Sequence, residues 1–158
     1  MGAESAKPAL EQFSYGLYVV GSRAGDEVNG MTANWVTQVS FDPRMVAVAV
    51  EAQSHTLANI RAGRVFSVNV IDEADTALIE QFVEPQERAG NKLGGVEFRT
   101  ADTGAPILAR ALAWLECEVE QMVPAGDHEL VIGRVVNGGQ HREGEPLTLR
   151  AMGWSYGE

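Results

Sequence analysis

Cysteine occurs once in the 158 residues, at Cys117, so no intramolecular disulfide can form. Lysine is almost as scarce, with only Lys7 and Lys92. Basic residues number 12 against 22 acidic ones, for a net charge of -10. That surplus repels a phosphate backbone and argues against a nucleic-acid partner. No apolar run approaches the ~20 residues of a membrane-spanning helix. The opening residues 1–10 are small and polar and lack the apolar stretch of a secretory leader. Glycine-rich phosphate loops, a Gly-x-Gly-x-x-Gly after a strand and a Gly-x-Ser-x-Gly elbow are all missing, which excludes the usual nucleotide and serine-hydrolase signatures. His55, His128 and His141 stand far apart and belong to no metal-ligand motif, so no metal is expected. The reading is one soluble, cytoplasmic domain over residues 1–158.

What the chain does have is β-branched alternation. Strands are expected over 17–22, 28–31, 35–41, 45–50, 65–71, 96–100, 112–123, 129–136 and 147–154, with turns at Ala24-Gly25-Asp26-Glu27 and Asp42-Pro43. The run 45–50 is apolar throughout and should be covered on both faces. Short strands at such regular spacing suit a closed or nearly closed antiparallel barrel. One helix should follow Ser54, with Leu57 and Ile60 on its inner face and Gly63 at its end. A second should be capped by Asp72, supported by Asp75, run through Ala77, Leu78 and Phe82, and stop before Pro85. A weaker one could precede Gly16, with Leu10 and Phe13 on one face. Residues 84–95 read as a long polar loop, a length that often carries function. Cys117 lies in an alternating run and reads as a buried, inert thiol.

Three segments could carry chemistry. At Glu51-Ala52-Gln53-Ser54-His55-Thr56 a buried strand enters a helix whose first turn bears two hydroxyls. Free N–H groups and the helix dipole make such a start an anion site, although Ser54 also serves as a plain N-cap. Residues 30–40 hold small and hydroxyl side chains where a core strand would prefer bulk, which lets a flat ligand approach the backbone. Trp35 in that run suits a pocket wall or the core equally. Pro124-Ala125-Gly126-Asp127-His128 is a turn between two long strands, and a histidine there is either solvated or aimed into a cleft.

Together these stretches resemble the flavin reductase-like, FMN-binding split-barrel family, which includes short-chain flavin reductases and flavoredoxins. The resemblance covers roughly residues 10–156. It is carried by Gly16-Leu17-Tyr18-Val19-Val20, by Asn29-Gly30-Met31-Thr32-Ala33-Asn34-Trp35-Val36-Thr37-Gln38-Val39-Ser40, by Ser54-His55-Thr56-Leu57-Ala58-Asn59-Ile60, by Phe66-Ser67-Val68-Asn69-Val70 and by Gly126-Asp127-His128. It implies a mainly β fold, a six-stranded antiparallel split barrel with a few short helices, working as a homodimer. Thr32, Ala33, Asn34, Trp35, Val36 and Thr37 match the segment lining the flavin ring and ribityl chain. Ala52, Gln53, Ser54 and Thr56 match the phosphate corner, and Lys92 matches a loop that brings a cation towards it. His128 matches a residue associated with the nicotinamide partner. The indole of Trp35 departs from the smaller residues of many reductases and narrows the space over the ring.

The resemblance implies NAD(P)H-dependent reduction of FMN, with FAD second as the flavin. A flavoredoxin-like carrier that keeps its FMN and exchanges electrons with a redox protein is the alternative. Both need no acid or base side chain, because the cofactor carries the redox chemistry. Trp154 and Tyr156 are candidates for a wall supplied to a partner subunit, and no electron-partner domain is expected beyond them.

Overall fold

The structure is a computed structural model and describes residues 2–155. A short 3₁₀ turn, Ala3–Ala6, leads into α1, Lys7–Leu10. Four strands follow: β1 Tyr18–Ala24, β2 Glu27–Ala33, β3 Val36–Phe41 and β4 Arg44–Glu51. Next come α2, His55–Gly63, β5, Val65–Val70, and α3, Thr76–Gln81. Short strands β6 Arg88–Ala89, β7 Lys92–Leu93, β8 Val96–Arg99 and β9 Ile107–Leu108 make a small second sheet. The long hairpin of β10, Ala113–Ala125, and β11, His128–Gln140, completes the strands, before a last 3₁₀ turn, Arg150–Met152.

The main sheet is antiparallel and ordered β2-β1-β5-β10-β11-β4-β3. It has seven strands where six are implied, and it does not close. Its two edges, β2 and β3, are nevertheless consecutive in the chain and joined by Asn34-Trp35 alone. A flat sheet of this order would hold its edges roughly 29 Å apart at the usual strand spacing. Two linking residues span at most about 11 Å. The sheet must therefore curl until its edges nearly meet, which gives a barrel split along one seam.

Alternate residues of β1 face opposite cores. Val19 packs with Leu17, Ile71, Leu78, Phe82 and Leu108 beneath α3 and the small sheet. Val20 packs with Val48, Val50, Leu57, Ile60, Phe66 and Val131 beneath α2. This explains why β1 carries apolar side chains at successive positions, Val19 and Val20. Helix α2 lies close on β1: a Cβ at Gly63 would sit 1.7 Å from the Arg23 carbonyl oxygen. Gly63 is thus required for close approach, and Arg64 (φ 58°) takes the left-handed cap, its N–H donating to Ile60 O at 2.8 Å.

Four expectations need correction. Residues 147–154 form no strand: Thr148 makes a single bridge to Gly16, and the chain then turns through Arg150–Met152 to Gly153 at φ 72°. Asp75, not Asp72, stands at the α3 N-cap position, because Asp72 is held in a bridge to Pro146 while its carboxylate accepts from Ala74 N–H. The segment 84–95 is no plain loop, since β6 and β7 form a tight hairpin within it. The helix before Gly16 is one turn, and it leaves both Leu10 and Phe13 exposed. Tyr156 lies outside the described residues.

A buried carboxylate braces the back of the barrel. Glu116 is fully buried and accepts from Thr103 N–H (3.0 Å), Thr103 Oγ–H (2.7 Å), Asp102 N–H (3.1 Å) and Asn137 Nδ2–H (3.1 Å). Burial pushes its pKa up, but these four donors outweigh burial and hold it below the ordinary value. Beside it, burial and then the Glu116 charge push the Cys117 thiol up to about 12, so the thiol is inert as expected.

Candidate functional site

The seam residues, the end of β4 and the start of β11 converge on one cleft of about 70 Å³. Met31, Thr32, Ala33, Asn34, Trp35, Ala49, Glu51 and His128 line it. The link is pinned on both sides. Thr32 donates from its hydroxyl to Ile79 O (2.7 Å) and from its N–H to Phe82 O (3.0 Å), while Ala49 N–H donates to Trp35 O (3.0 Å).

His128 opens β11 just after the Gly126-Asp127 turn, where Gly126 takes φ 63°. Ala52 N–H donates to Asp127 O (2.9 Å), which fastens the strand–helix corner to this turn. The Asp127 carboxylate accepts from His128 Nδ1–H at 2.6 Å, and that bond together with the imidazole's charge lowers the Asp127 pKa. Fixing the proton on Nδ1 leaves Nε2 as the other working atom of the ring. The indole of Trp35 lies 4.7 Å from the imidazole, centroid to centroid, and Tyr15 meets that indole edge-on at 6.5 Å. The His128 side chain is 12% exposed, so its orientation is set before any ligand arrives.

The corner 52–56 behaves partly as expected. Ser54 caps α2: its Oγ accepts from Leu57 N–H (3.1 Å) and donates to Glu51 O (2.7 Å). The hydroxyl is therefore occupied, and the anion-binding capacity of this helix start lies in the N–H groups of His55 and Thr56. Gln53 is exposed and Thr56 buried. His55 pairs with Glu27 at the β1–β2 turn, and Arg88 donates to Asp26 O in the same turn (2.8 Å). The β6–β7 hairpin bearing Lys92 and the start of α2 thus flank one turn. Lys92 is exposed there, and its ammonium makes no hydrogen bond or ion pair among the described residues.

The run from Thr32 to Thr37 is divided. Thr32, Ala33, Asn34 and Trp35 face the cleft. Val36 and Thr37 instead line a groove of about 280 Å³ with Tyr18, Val46, Val68 and Leu115. Sequence reasoning missed Glu51 and Ala49. Their signal was the register of β4 beside β11, where Glu51 pairs with His128, and that pairing is not visible in a linear pattern. Tyr15 was also missed; its one sequence signal is an aromatic immediately before Gly16. Among the described residues no cluster of His, Cys, Asp and Glu could hold a metal ion.

A flavin fits these residues in three respects. Ala33 and Thr32 leave the backbone approachable, Asn34 Nδ2 is a buried donor without a hydrogen-bond partner, and α2 offers unsatisfied N–H groups to a phosphate.

Comparison with known proteins agrees. A family profile described as "Flavin reductase like domain" matches residues 10–154. A high molecular weight rubredoxin from Moorella thermoacetica is 37% identical over 142 residues, covering 89% of this chain and 62% of that protein. The chain spans less than two thirds of the length of the first curated relatives it matches. Among solved structures, the flavin reductase PheA2 in its native state superposes with a TM-score of 0.80 at 30% identity, covering 94% of this chain and 93% of the other. The NADH:FAD oxidoreductase SgcE6 of Streptomyces globisporus gives 0.78 at 28% identity, covering 90% and 86%.

Proposed function

Because the chain belongs to the flavin reductase-like domain family, we propose that it binds FMN in the seam cleft and reduces it with NAD(P)H. The observation that carries this reading is the convergence of the 32–35 link, the 51–56 corner and the Asp127–His128 turn on one site. FMN, when bound, supplies the hydride-accepting heterocycle. Thr32 to Trp35 present a flat, closely approachable backbone to that heterocycle, and the N–H groups opening α2 receive its phosphate. Lys92 adds charge from the neighbouring hairpin. Asp127 holds the His128 imidazole in one tautomer and Trp35 backs it, so that Nε2 and the ring face seat the nicotinamide. Hydride transfer needs donor and acceptor held close and aligned, and no proton need move at His128. Because NAD(P)H is an intracellular reductant, this reading places the protein in the cytoplasm.

A second copy of the chain completes the site in this reading. Edge strand β3 leaves Val39 50% and Phe41 88% exposed, and its Val36, Thr37 and Gln38 line the neighbouring apolar groove. An uncovered edge of this kind calls for a partner. The rubredoxin relative supports a second function, an electron carrier that keeps its FMN.

Purified protein mixed with FMN and then with NADH or NADPH without oxygen separates the two. Bleaching of the flavin absorbance within the mixing time supports the reductase. In that case His128→Ala should slow bleaching at least tenfold, leave FMN affinity unchanged and leave dithionite reduction unaffected. Tightly held FMN that neither nucleotide bleaches would establish the carrier instead.

A further inference from the structure

Glu51 is the one acidic side chain lining the seam cleft. Strand β4 aims it there, because successive side chains of a strand point to opposite faces. Val50 is fully buried in the core beneath α2, while Ala49 and Glu51 on either side of it both line the cleft. The register supplies the neighbour: Glu51 stands directly opposite His128 on β11. Directly opposed residues of an antiparallel pair share a face, with Cβ atoms about 4.5–5.5 Å apart. A carboxylate and the imidazole therefore border one space.

The backbone at this position is fixed, and the charge is uncommitted. Glu51 O accepts from Ser54 N–H (3.1 Å) and from Ser54 Oγ–H (2.7 Å), which holds the end of β4 against the start of α2. The Glu51 side chain is exposed, and its carboxylate makes no hydrogen bond or ion pair among the described residues. The neighbouring carboxylates are engaged, Asp127 with His128 Nδ1–H and Glu129 with Arg61. Glu51 thus brings a free negative charge to the cleft.

Hydride transfer creates the opposite charge. Moving a hydride from C4 of NAD(P)H to the flavin turns a neutral dihydropyridine ring into a pyridinium cation, and the flavin takes up both electrons as its reduced anion. A fixed carboxylate beside the donor ring favours that cation as it forms and gains nothing from the neutral ground state, so it lowers the barrier. We propose that Glu51 is a catalytic residue whose carboxylate lies against the nicotinamide ring and stabilises the positive charge that develops there. The inference rests on the reductase reading, which seats that ring at His128.

The test compares FMN-loaded wild type with Glu51→Gln, which keeps the size and removes the charge, and with Glu51→Asp, which keeps the charge. Two nucleotides report binding without turnover. NAD(P)+ has a cationic ring, and tetrahydro-NAD(P) has a neutral ring that cannot give up a hydride. Glu51→Gln should weaken NAD(P)+ binding by about fivefold, the upper range for one exposed ion pair. It should leave the affinities for tetrahydro-NAD(P) and FMN unchanged. Flavin bleaching at saturating NAD(P)H should slow by at least the same factor, and Glu51→Asp should recover most of both losses. Equal weakening of the two nucleotides overturns the proposal, since a steric or folding role does not read ring charge. Unchanged NAD(P)+ affinity in Glu51→Gln overturns it, as does loss of FMN. If wild type is bleached and Glu51→Gln bleaches as fast, this proposal falls and the reductase reading stands. If no reduced nucleotide bleaches wild type, the reductase reading falls and the catalytic role falls with it.

Discussion

Glu116→Gln tests the brace behind the barrel, and its cost follows from counting donors. The Gln oxygen can keep the two bonds from Thr103, its N–H and its hydroxyl. The new amide NH₂ then faces Asp102 N–H and Asn137 Nδ2–H, donor against donor. Asn137 cannot simply reverse, because its Oδ1 accepts from Gly138 N–H at 2.9 Å. Two donors in a closed site lose their acceptor, at about 1–3 kcal/mol each, so a loss of about 2–6 kcal/mol is expected. Glu116→Ala strands all four donors and should cost more than Glu116→Gln. Urea unfolding followed by far-ultraviolet circular dichroism reads these as a lower midpoint with an unchanged slope. The sign with pH is fixed as well. A carboxylate whose folded pKa is depressed stabilises the fold above its unfolded pKa, about 4.3, and loses that contribution as pH falls through the folded value. The gap between wild type and Glu116→Gln should therefore be full at pH 7 and shrink below the ordinary carboxylate range. A variant as stable as wild type at pH 7, or a gap that persists unchanged in acid, would refute the idea that a charged Glu116 braces the loop.

Lys92→Ala should weaken FMN binding by about 1–2 kcal/mol, the size of a charge-assisted contact. Riboflavin, which has no phosphate, should bind wild type and variant alike, and equal FMN titrations of the two proteins would return Lys92 to the solvent. Phe41→Asp should convert the proposed homodimer into a monomer in sedimentation velocity without lowering the unfolding midpoint, because the ring is 88% exposed in the single chain; a wild-type protein that sediments as a monomer would remove the proposed dimer.

Much of the barrel was legible because a strand buried on both faces and a strand buried on one leave different marks. Residues 45–50 read as a continuous apolar run and 65–70 as an apolar run broken by Ser67 and Asn69, and Val46, Val48, Val50, Phe66 and Val68 all belong to the core beneath α2. The α2 boundaries were equally readable from Ser54 and Gly63, although Gly63 acts by close packing rather than as the cap. The 147–154 error has a simple origin: Leu147 and Leu149 alternate like a strand and are indeed buried, but one bridge suffices to bury them. For the cleft, Thr32 to Trp35 and His128 were found as separate segments. Their meeting depends on the β4–β11 register and on the Ala52–Asp127 bond, which are long-range facts. The same dependence hid Glu51, and it separated Val36 and Thr37 from the residues beside them in sequence.

The two-residue link between the sheet's edges has a mechanical meaning. In most open sheets the edges move independently, and a ligand at one edge is not felt at the other. Here Asn34 and Trp35 tie them directly, so any widening of the seam stretches the segment that lines the cleft. The cleft acts as a strain gauge for the whole barrel. A flat molecule lodged against Thr32 to Trp35 would resist the breathing of both edge strands at once, so hydrogen exchange in β2 and β3 should slow together when it binds.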